Sequence, residues 1–429
     1  MEKSSKLFKV SALTAALIGI TATPAHASDN EFLDGASLNG AINAEHRYRQ
    51  KDTSTVNDDY TATADYTVYN LILGFESGYH DDWLGLDLSG YFSGAIAGDG
   101  EECASEAILC DTDGPSGQDF KMTTAAMKFK FGESVTKLGY IQSHGIGTVG
   151  NVWAFVPGTY RGASVVAPFG DWKLGYLIAD EFTAPWHRTE KDQFGEDGRI
   201  PFNFIHSLGI SGSINDNWVL DAGIGHAELV EGDDTTDISY RFYTRYQIAD
   251  DMSIAYDVYA TDSETSYGGF GITQGVSFAK SFDKLTWNSE ARYVTSENDA
   301  GVAPRTVKNY ATNGSVFSQW WDATTDWDAS GQLSWFNRLA YNFDSGLTLG
   351  GAFIFSTLDD NDVNQFDSEY AVTADITYSI QTGALKGTAF NLHLVHNERD
   401  TNENFVDGQW PWESSQDARL RVMIPYNFF

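Results

Sequence analysis

The chain has 429 residues and a formal net charge of −33, with 27 Lys and Arg set against 60 Asp and Glu. Nucleic-acid binding depends on clustered cations that displace counterions, so this acidic balance excludes nucleic acid as a partner. No segment of the sequence supplies the roughly 18 consecutive apolar residues of a transmembrane helix, which excludes a helical membrane protein.

In chain order, Lys3, Lys6 and Lys9 form a basic start, Val10 to Ala22 an apolar stretch, and Ala25-His26-Ala27 a small-x-small site. That order is a secretory signal, predicting removal of residues 1–27 and leaving one domain over 28–429. Beyond it, two-residue alternation replaces helical periodicity. Between Thr67 and Tyr79, the apolar Tyr69, Leu71, Leu73 and Phe75 alternate with Asn70, Ile72, Gly74 and Glu76. Successive side chains of a strand point to opposite faces, so one face is greasy and the other polar or small. From Trp83 to Ile96, Leu84, Leu86 and Leu88 oppose Asp87, Ser89 and Ser93.

Cys103 and Cys110 follow in a polar loop. In an oxidising compartment their spacing favours a disulfide that staples the loop, with two free thiols as the alternative; no His cluster accompanies them, so neither metal nor cofactor is expected. Alternation resumes from Asp237 to Ile248, where Ile238, Tyr240, Phe242 and Tyr246 oppose Arg241, Arg245 and Gln247. At the C-terminus Leu420, Val422, Ile424, Tyr426 and Phe428 alternate with Arg419, Arg421, Met423, Pro425 and Asn427, before Phe429.

Short polar clusters punctuate the strands at His80-Asp81-Asp82, Gly132-Glu133-Ser134, Pro168 to Asp171, Asn215-Asp216-Asn217, Ala249-Asp250-Asp251, Asp283-Lys284, Asp344-Ser345-Gly346 and Gln381 to Gly387. Longer polar segments lie between them, around residues 51–64, 98–118, 144–158, 181–201, 296–330 and 399–415. Short turns on one rim and long loops on the other are the mark of an outer-membrane barrel. Eight periplasmic turns predict an all-β, transmembrane antiparallel β-barrel of about 18 strands, closed so that no edge meets hydrocarbon and wide enough for an aqueous lumen. The expected surroundings are the lipid and lipopolysaccharide of a bacterial outer membrane. Trp172, Trp218 and Trp287 share parity with the apolar face and belong to the expected periplasmic girdle; Trp83 has the opposite parity, which predicts a bulge or a shifted boundary.

A lipid-facing charge costs about 2 to 4 kcal/mol at midplane, so mid-strand charges must point inward. Parity places Arg47, Arg49, Arg241, Arg245, Arg292, Arg338, Arg419 and Arg421 on the inner wall, with Glu45, Glu76, Asp87, Asp221, Asp257, Glu290 and Asp375. Such charges either pair across strands to stiffen the wall or form a track that selects solutes. Mixed signs favour a polar neutral solute over a simple ion. Aromatic residues in the loops, Trp153 and Phe155, then Trp186, then Trp320, Trp321 and Trp327, then Trp410 and Trp412, either stack on sugar rings or pack loop against loop. Ser143-His144, His206 and His226 form no Ser-His-acid set on one face, so no enzyme activity is expected. Neither a passenger domain nor a plug-sized segment precedes the strands, which argues against an adhesin or secretion barrel.

The run Gly139-Tyr140-Ile141-Gln142, followed by Trp153-Ala154-Phe155-Val156-Pro157-Gly158-Thr159-Tyr160-Arg161-Gly162, resembles the third-loop region of chitoporin-type members of the OprD porin family. Ala184-Pro185-Trp186-His187, His206-Ser207-Leu208-Gly209, Trp320-Trp321-Asp322, Leu385-Lys386-Gly387-Thr388 and Arg421-Val422-Met423-Ile424-Pro425-Tyr426 extend the resemblance from about residue 32 to the end. It implies an 18-stranded barrel with an inward-folded third loop, conducting chitin-derived oligosaccharides. Trp153, Phe155, Tyr160 and Arg161 would then line the constriction. Other family members pass basic amino acids or carboxylates along an arginine ladder, and the inward arginines serve that alternative equally. The terminal Phe428 and Phe429 resemble the signal read by the barrel-assembly machinery. Monomer and loose trimer both remain open.

Overall fold

The structure is a computed structural model that describes residues 31–52, 61–98, 110–111, 114–115, 118–150, 157–183, 202–229, 236–302, 327–359, 363–405 and 412–428. The signal segment 1–27, Cys103, Trp153, Phe155, Trp186, Trp320, Trp321, Trp410 and Phe429 lie outside these residues. So do the side chains of Cys110 and of the neighbouring loop.

In chain order the strands are β1 (Ser37–Asp52), β2 (Thr61–Glu76), β3 (Leu84–Gly98), the two-residue pair β4 (Cys110–Asp111) and β5 (Gly114–Pro115), β6 (Gln118–Phe131), β7 (Ser134–Ile141), β8 (Thr159–Phe169), β9 (Trp172–Thr183) and β10 (Phe202–Asn215). There follow β11 (Trp218–Leu229), β12 (Thr236–Ala249), β13 (Met252–Ser263), β14 (Gly269–Phe282), β15 (Leu285–Ser296), β16 (Leu333–Asn342), β17 (Leu347–Thr357), β18 (Phe366–Ser379), β19 (Ala389–Thr401) and β20 (Ser414–Asn427). Apart from β4 and β5 they form one antiparallel sheet of 18 strands. Pairing of β1 with β20, from Asn39↔Asn427 to Asp52↔Ser414, closes it. Closure leaves no edge unpaired in lipid. Among the described residues no helix is long and apolar enough to cross a membrane.

Every short turn falls at a polar cluster named above, because each cluster supplies residues that tolerate tight backbone. Asp81, Asp82 and Asp283 have positive φ, as do Gly132, Gly170 and Gly346. Three outer connections escaped the sequence reading: 230–235, 264–268 and 358–365 are too short to stand out as polar segments.

The parity expected for the outer wall is present. Leu73, Leu138, Leu208, Ile224, Leu339, Val372 and Leu420 are all exposed on it, as a lipid-facing surface requires. Toward the periplasmic end Trp218 meets Tyr246 edge-on, Phe278 meets Trp287, and Tyr426 stacks on Phe428. The Trp83 anomaly resolves as a boundary effect. Trp83 belongs to the turn ahead of β3, is bound by no strand parity, and stacks outward on Phe129 with ring centroids 5.9 Å apart.

The core lies inside the cylinder. One apolar cluster joins Val149 of the β7–β8 connection to inward-facing Ile141, Tyr160, Leu177, Phe182 and Ile205. A second joins Trp327 of the β15–β16 connection to inward-facing Tyr259, Phe336, Ile354 and Ala371. The inner wall is therefore apolar where a loop covers it and polar where water does.

Candidate pore lining and constriction

Loop 3, residues 142–158, links β7 to β8, and its described residues up to Gly150 lie against the inner wall. Its seat is a patch of wall without side chains: Gly175 on β9, Gly209 on β10, and Gly223 and Gly225 on β11, all on the inward parity. A Cβ on Gly209 or Gly223 would collide with the Gly147 backbone, and one on Gly225 with the Thr148 hydroxyl. Only glycine permits so close a backbone approach. The Ser207 hydroxyl accepts from the Thr148 and Val149 amides at 2.8 and 3.2 Å, and the Tyr160 hydroxyl donates to the Gly150 carbonyl at 2.9 Å. His144 Nδ1 accepts from the Ile146 amide at 3.0 Å, and burial pushes this imidazole's pKa down. These contacts hold the described part of loop 3 as a fixed shelf.

Loop 7, residues 297–332, links β15 to β16, and its described Trp327 packs inside the barrel. The Trp327 ring is 1% exposed, and its carbonyl accepts from Arg292 Nη1 at 3.1 Å. Trp327 thus packs loop against wall, and Arg292 supports that packing from full burial. Trp412 is likewise buried, with its carbonyl bonded by Arg399.

The barrel seam carries the densest charge. Cross-strand register sets Glu45 opposite Arg421, Arg47 opposite Arg419 and Arg49 opposite Asp417, all on the inner face. Asp417 is fully buried and is shared by three guanidiniums: Arg47 at 2.7 Å, Arg49 at 2.8 Å and Arg419 at 3.2 Å. Glu45 receives Arg421 and, at 3.2 Å, the Tyr66 hydroxyl. Arg47 and Arg419, opposed like charges, are tolerable only because Asp417 lies between them. Four arginines against two carboxylates leave this seam net positive, and Arg49 and Arg421, with side chains 22% and 30% exposed, reach the channel water.

Elsewhere the charges are more nearly balanced. Arg338 lies 3.6 Å from Asp375, which also bonds His393 at 2.6 Å. Arg241 sits 3.9 Å from Asp221 and over the rings of Tyr243 and Tyr259, beside buried Asp257 on the neighbouring strand. Arg245 is exposed near the periplasmic end of β12. On the opposite stretch of wall Asp87 binds Lys128 at 2.8 Å and Lys137 at 2.7 Å.

Tyr160 and Arg161, both expected at the constriction, lie on opposite faces of β8. Tyr160 has no exposed surface and braces loop 3 from behind. Arg161 is opposite Tyr140, on the parity away from Tyr160, where it forks onto Asp180 at 2.9 and 3.1 Å and reaches Glu181 at 2.7 Å. A bulge between Arg161 and Gly162 accompanies this outward placement. Sequence reasoning missed Asp417, the hub of the seam, although it shares parity with Arg419 two residues later; it also missed Lys128 and Lys137.

No family model matches the chain. It is 26% identical to the chitoporin of Escherichia coli (strain K12), over 98% of this chain and 99% of that protein. Among solved structures it is similar to Acinetobacter baumannii OccAB2, with a TM-score of 0.74, 15% identity and coverage of 94% of this chain and 100% of that one. Pseudomonas aeruginosa OpdK, solved with vanillate, gives 0.71 at 17% identity, covering 92% and 100%. Pseudomonas aeruginosa OprD gives 0.65 at 17%, covering 94% and 98%. A closed 18-stranded barrel with a charged, loop-narrowed lumen defines an outer-membrane porin for small solutes. The full-length relationship and the shared architecture make this chain an outer-membrane porin that resembles those of the OprD family.

Proposed function

We propose that this porin takes up chitin-derived oligosaccharides by passive diffusion and carries out no catalysis. The observation that carries the reading is the pairing of charges on the inner wall. Asp375 with Arg338, Asp221 with Arg241, and Asp87 with Lys128 and Lys137 present donors and acceptors side by side. Such a surface suits hydroxyl and amide groups better than a single ion. The full-length relationship to a chitoporin supports the same substrate class. Trp153, Phe155, Trp186, Trp320 and Trp321 are the rings proposed to stack on sugar faces.

A second reading, a channel for small carboxylates or basic amino acids, is favoured by one observation. The seam holds four arginines against two carboxylates, and its exposed tips Arg49 and Arg421 would draw a carboxylate. The structure of OpdK, which contains vanillate, belongs to a protein of the same fold. Single-channel recording separates the two. Chitohexaose should interrupt the ion current while a dicarboxylate or arginine leaves it unaffected; the opposite pattern replaces the sugar reading with the carboxylate one.

Three further features belong to this proposal. Cleavage after Ala27 would release the barrel, a Cys103–Cys110 disulfide would staple the second outer loop, and Phe428 with Phe429 would engage the assembly machinery. Lipopolysaccharide would surround the outer rim, with the protein acting as a monomer or loose trimer.

A further inference from the structure

Beneath loop 3 the lumen widens into a cavity of about 590 Å³. Its walls are the periplasmic halves of β2, β3, β6, β7 and β8, and the stem of loop 3 forms its roof. The volume falls within the range of pockets that hold drug-sized ligands. A second recess of about 410 Å³ continues from it toward the β2–β3 turn, sharing Glu76 and bordered by Lys128 and Tyr79.

Glu76 is the unusual residue here. It faces Asp87 directly across the β2–β3 pair, an opposition of like charges that normally destabilises a sheet. Asp87 is neutralised by Lys128 and Lys137. Glu76 is exposed, and its carboxylate has no hydrogen bond or ion pair among the described residues. Lys137, with its side chain 38% exposed, keeps donors for the cavity beyond those spent on Asp87. Gln142 on the roof brings an amide, while Val135 and Val166 provide apolar wall. At the outlet the Tyr79 ring lies beneath the Lys128 and Lys130 ammoniums, 5.2 and 5.5 Å from its centroid.

An exposed carboxylate lining a cavity, beside two lysines already bound to its neighbour, is available to accept from a solute. We infer that this cavity and its outlet form an exit-side subsite, in which Glu76 accepts from the hydroxyl or amide groups of an amide-bearing sugar leaving for the periplasm. Lys137 and Gln142 serve its oxygens, and Val135 and Val166 meet its C–H face. The subsite rests on the sugar reading above, yet lies apart from the arginine seam. It gives the solute a second resting place below loop 3, so that transit becomes a hop between two weak sites, as conduction requires.

The test uses the full mature protein in a planar bilayer, with chitohexaose added from the periplasmic side. Glu76→Gln removes the like-charge opposition, so it should insert and show heat-modifiable migration like the parent. It should shorten the periplasmic-side block about tenfold, equivalent to the loss of roughly 1.4 kcal/mol. Lys137→Met should act in the same direction. If the parent is blocked from both sides and Glu76→Gln leaves periplasmic residence unchanged, the subsite is overturned and the sugar reading stands. If chitohexaose blocks the parent from neither side, the sugar reading falls and takes the subsite with it.

Discussion

Gly209 on the barrel wall and Gly147 at the tip of loop 3 approach so closely that a side chain on Gly209 would occupy the Gly147 backbone. Loop 3 thus rests on a wall from which side chains have been removed. Gly209→Ala should unseat it at a cost of about 1 to 3 kcal/mol, the usual penalty for overpacking. The channel should insert normally, conduct more current and show more open-state noise. Unchanged conductance and thermal stability would mean that the loop yields without cost.

Asp417→Asn tests the seam. It leaves Arg47, Arg49 and Arg419 with no shared carboxylate, and breaking a buried ion pair from one side costs about 3 to 5 kcal/mol. Thermal unfolding in detergent should fall accordingly. The reversal potential in a salt gradient should move toward anions, since the seam would gain one net positive charge. An unmoved reversal potential would show that these arginines do not see the permeating ions.

Trp327→Ala should cost about 3 to 5 kcal/mol, as for other large buried aromatics. Its ring fills the space between Tyr259, Phe336, Ile354 and Ala371, so loop 7 should lose its hold on the wall. Faster cleavage of loop 7 by added protease, with the barrel strands intact, is the expected readout.

Trp153→Ala addresses the proposed sugar track, at a position outside the described residues. Losing one stacking ring should weaken chitohexaose block about three- to tenfold, with barrel assembly intact. Identical blocking kinetics would assign the ring to loop packing.

Acidification should loosen loop 3 through His144. Burial holds its pKa below the ordinary histidine value, so the neutral ring belongs to the folded loop. A group with a depressed folded pKa of this kind contributes stability above its unfolded value, near 6.5, and that stability is lost as pH falls through the lower folded value. Protonation at Nδ1 would also end its acceptance from the Ile146 amide. Channel noise should therefore rise as the pH falls below the ordinary histidine value, and His144→Gln should flatten that dependence. A pH-independent trace for the parent would remove His144 from the loop's anchoring.

The barrel was readable because lipid imposes its own grammar. Leu71 and Leu73 must face hydrocarbon, so Asn70 and Glu76 are driven inward, and Arg47 and Arg419 follow by the same parity. The turns were readable because Asp81, Asp283 and Gly346 sit where the backbone needs positive φ. The odd parity of Trp83 was legible as a shifted boundary, and a turn does precede β3 there, whereas Arg161 and Tyr160, named together through the family resemblance, lie on opposite faces of β8. Alternation alone does not distinguish Tyr160, sealed behind a loop, from Arg49, open to water.

Alternation and turn spacing determined that this chain is a closed barrel in an outer membrane, because each strand must independently satisfy lipid on one side and water on the other. What the lumen does with its inner face was decided only by the fold in three dimensions. Val149 meets Ile205 and Trp327 meets Tyr259 across long stretches of sequence, and Asp417 meets Arg47 only when the last strand closes on the first. Inward is a local property of a strand, whereas covered, paired or open depends on which distant loop or strand arrives there.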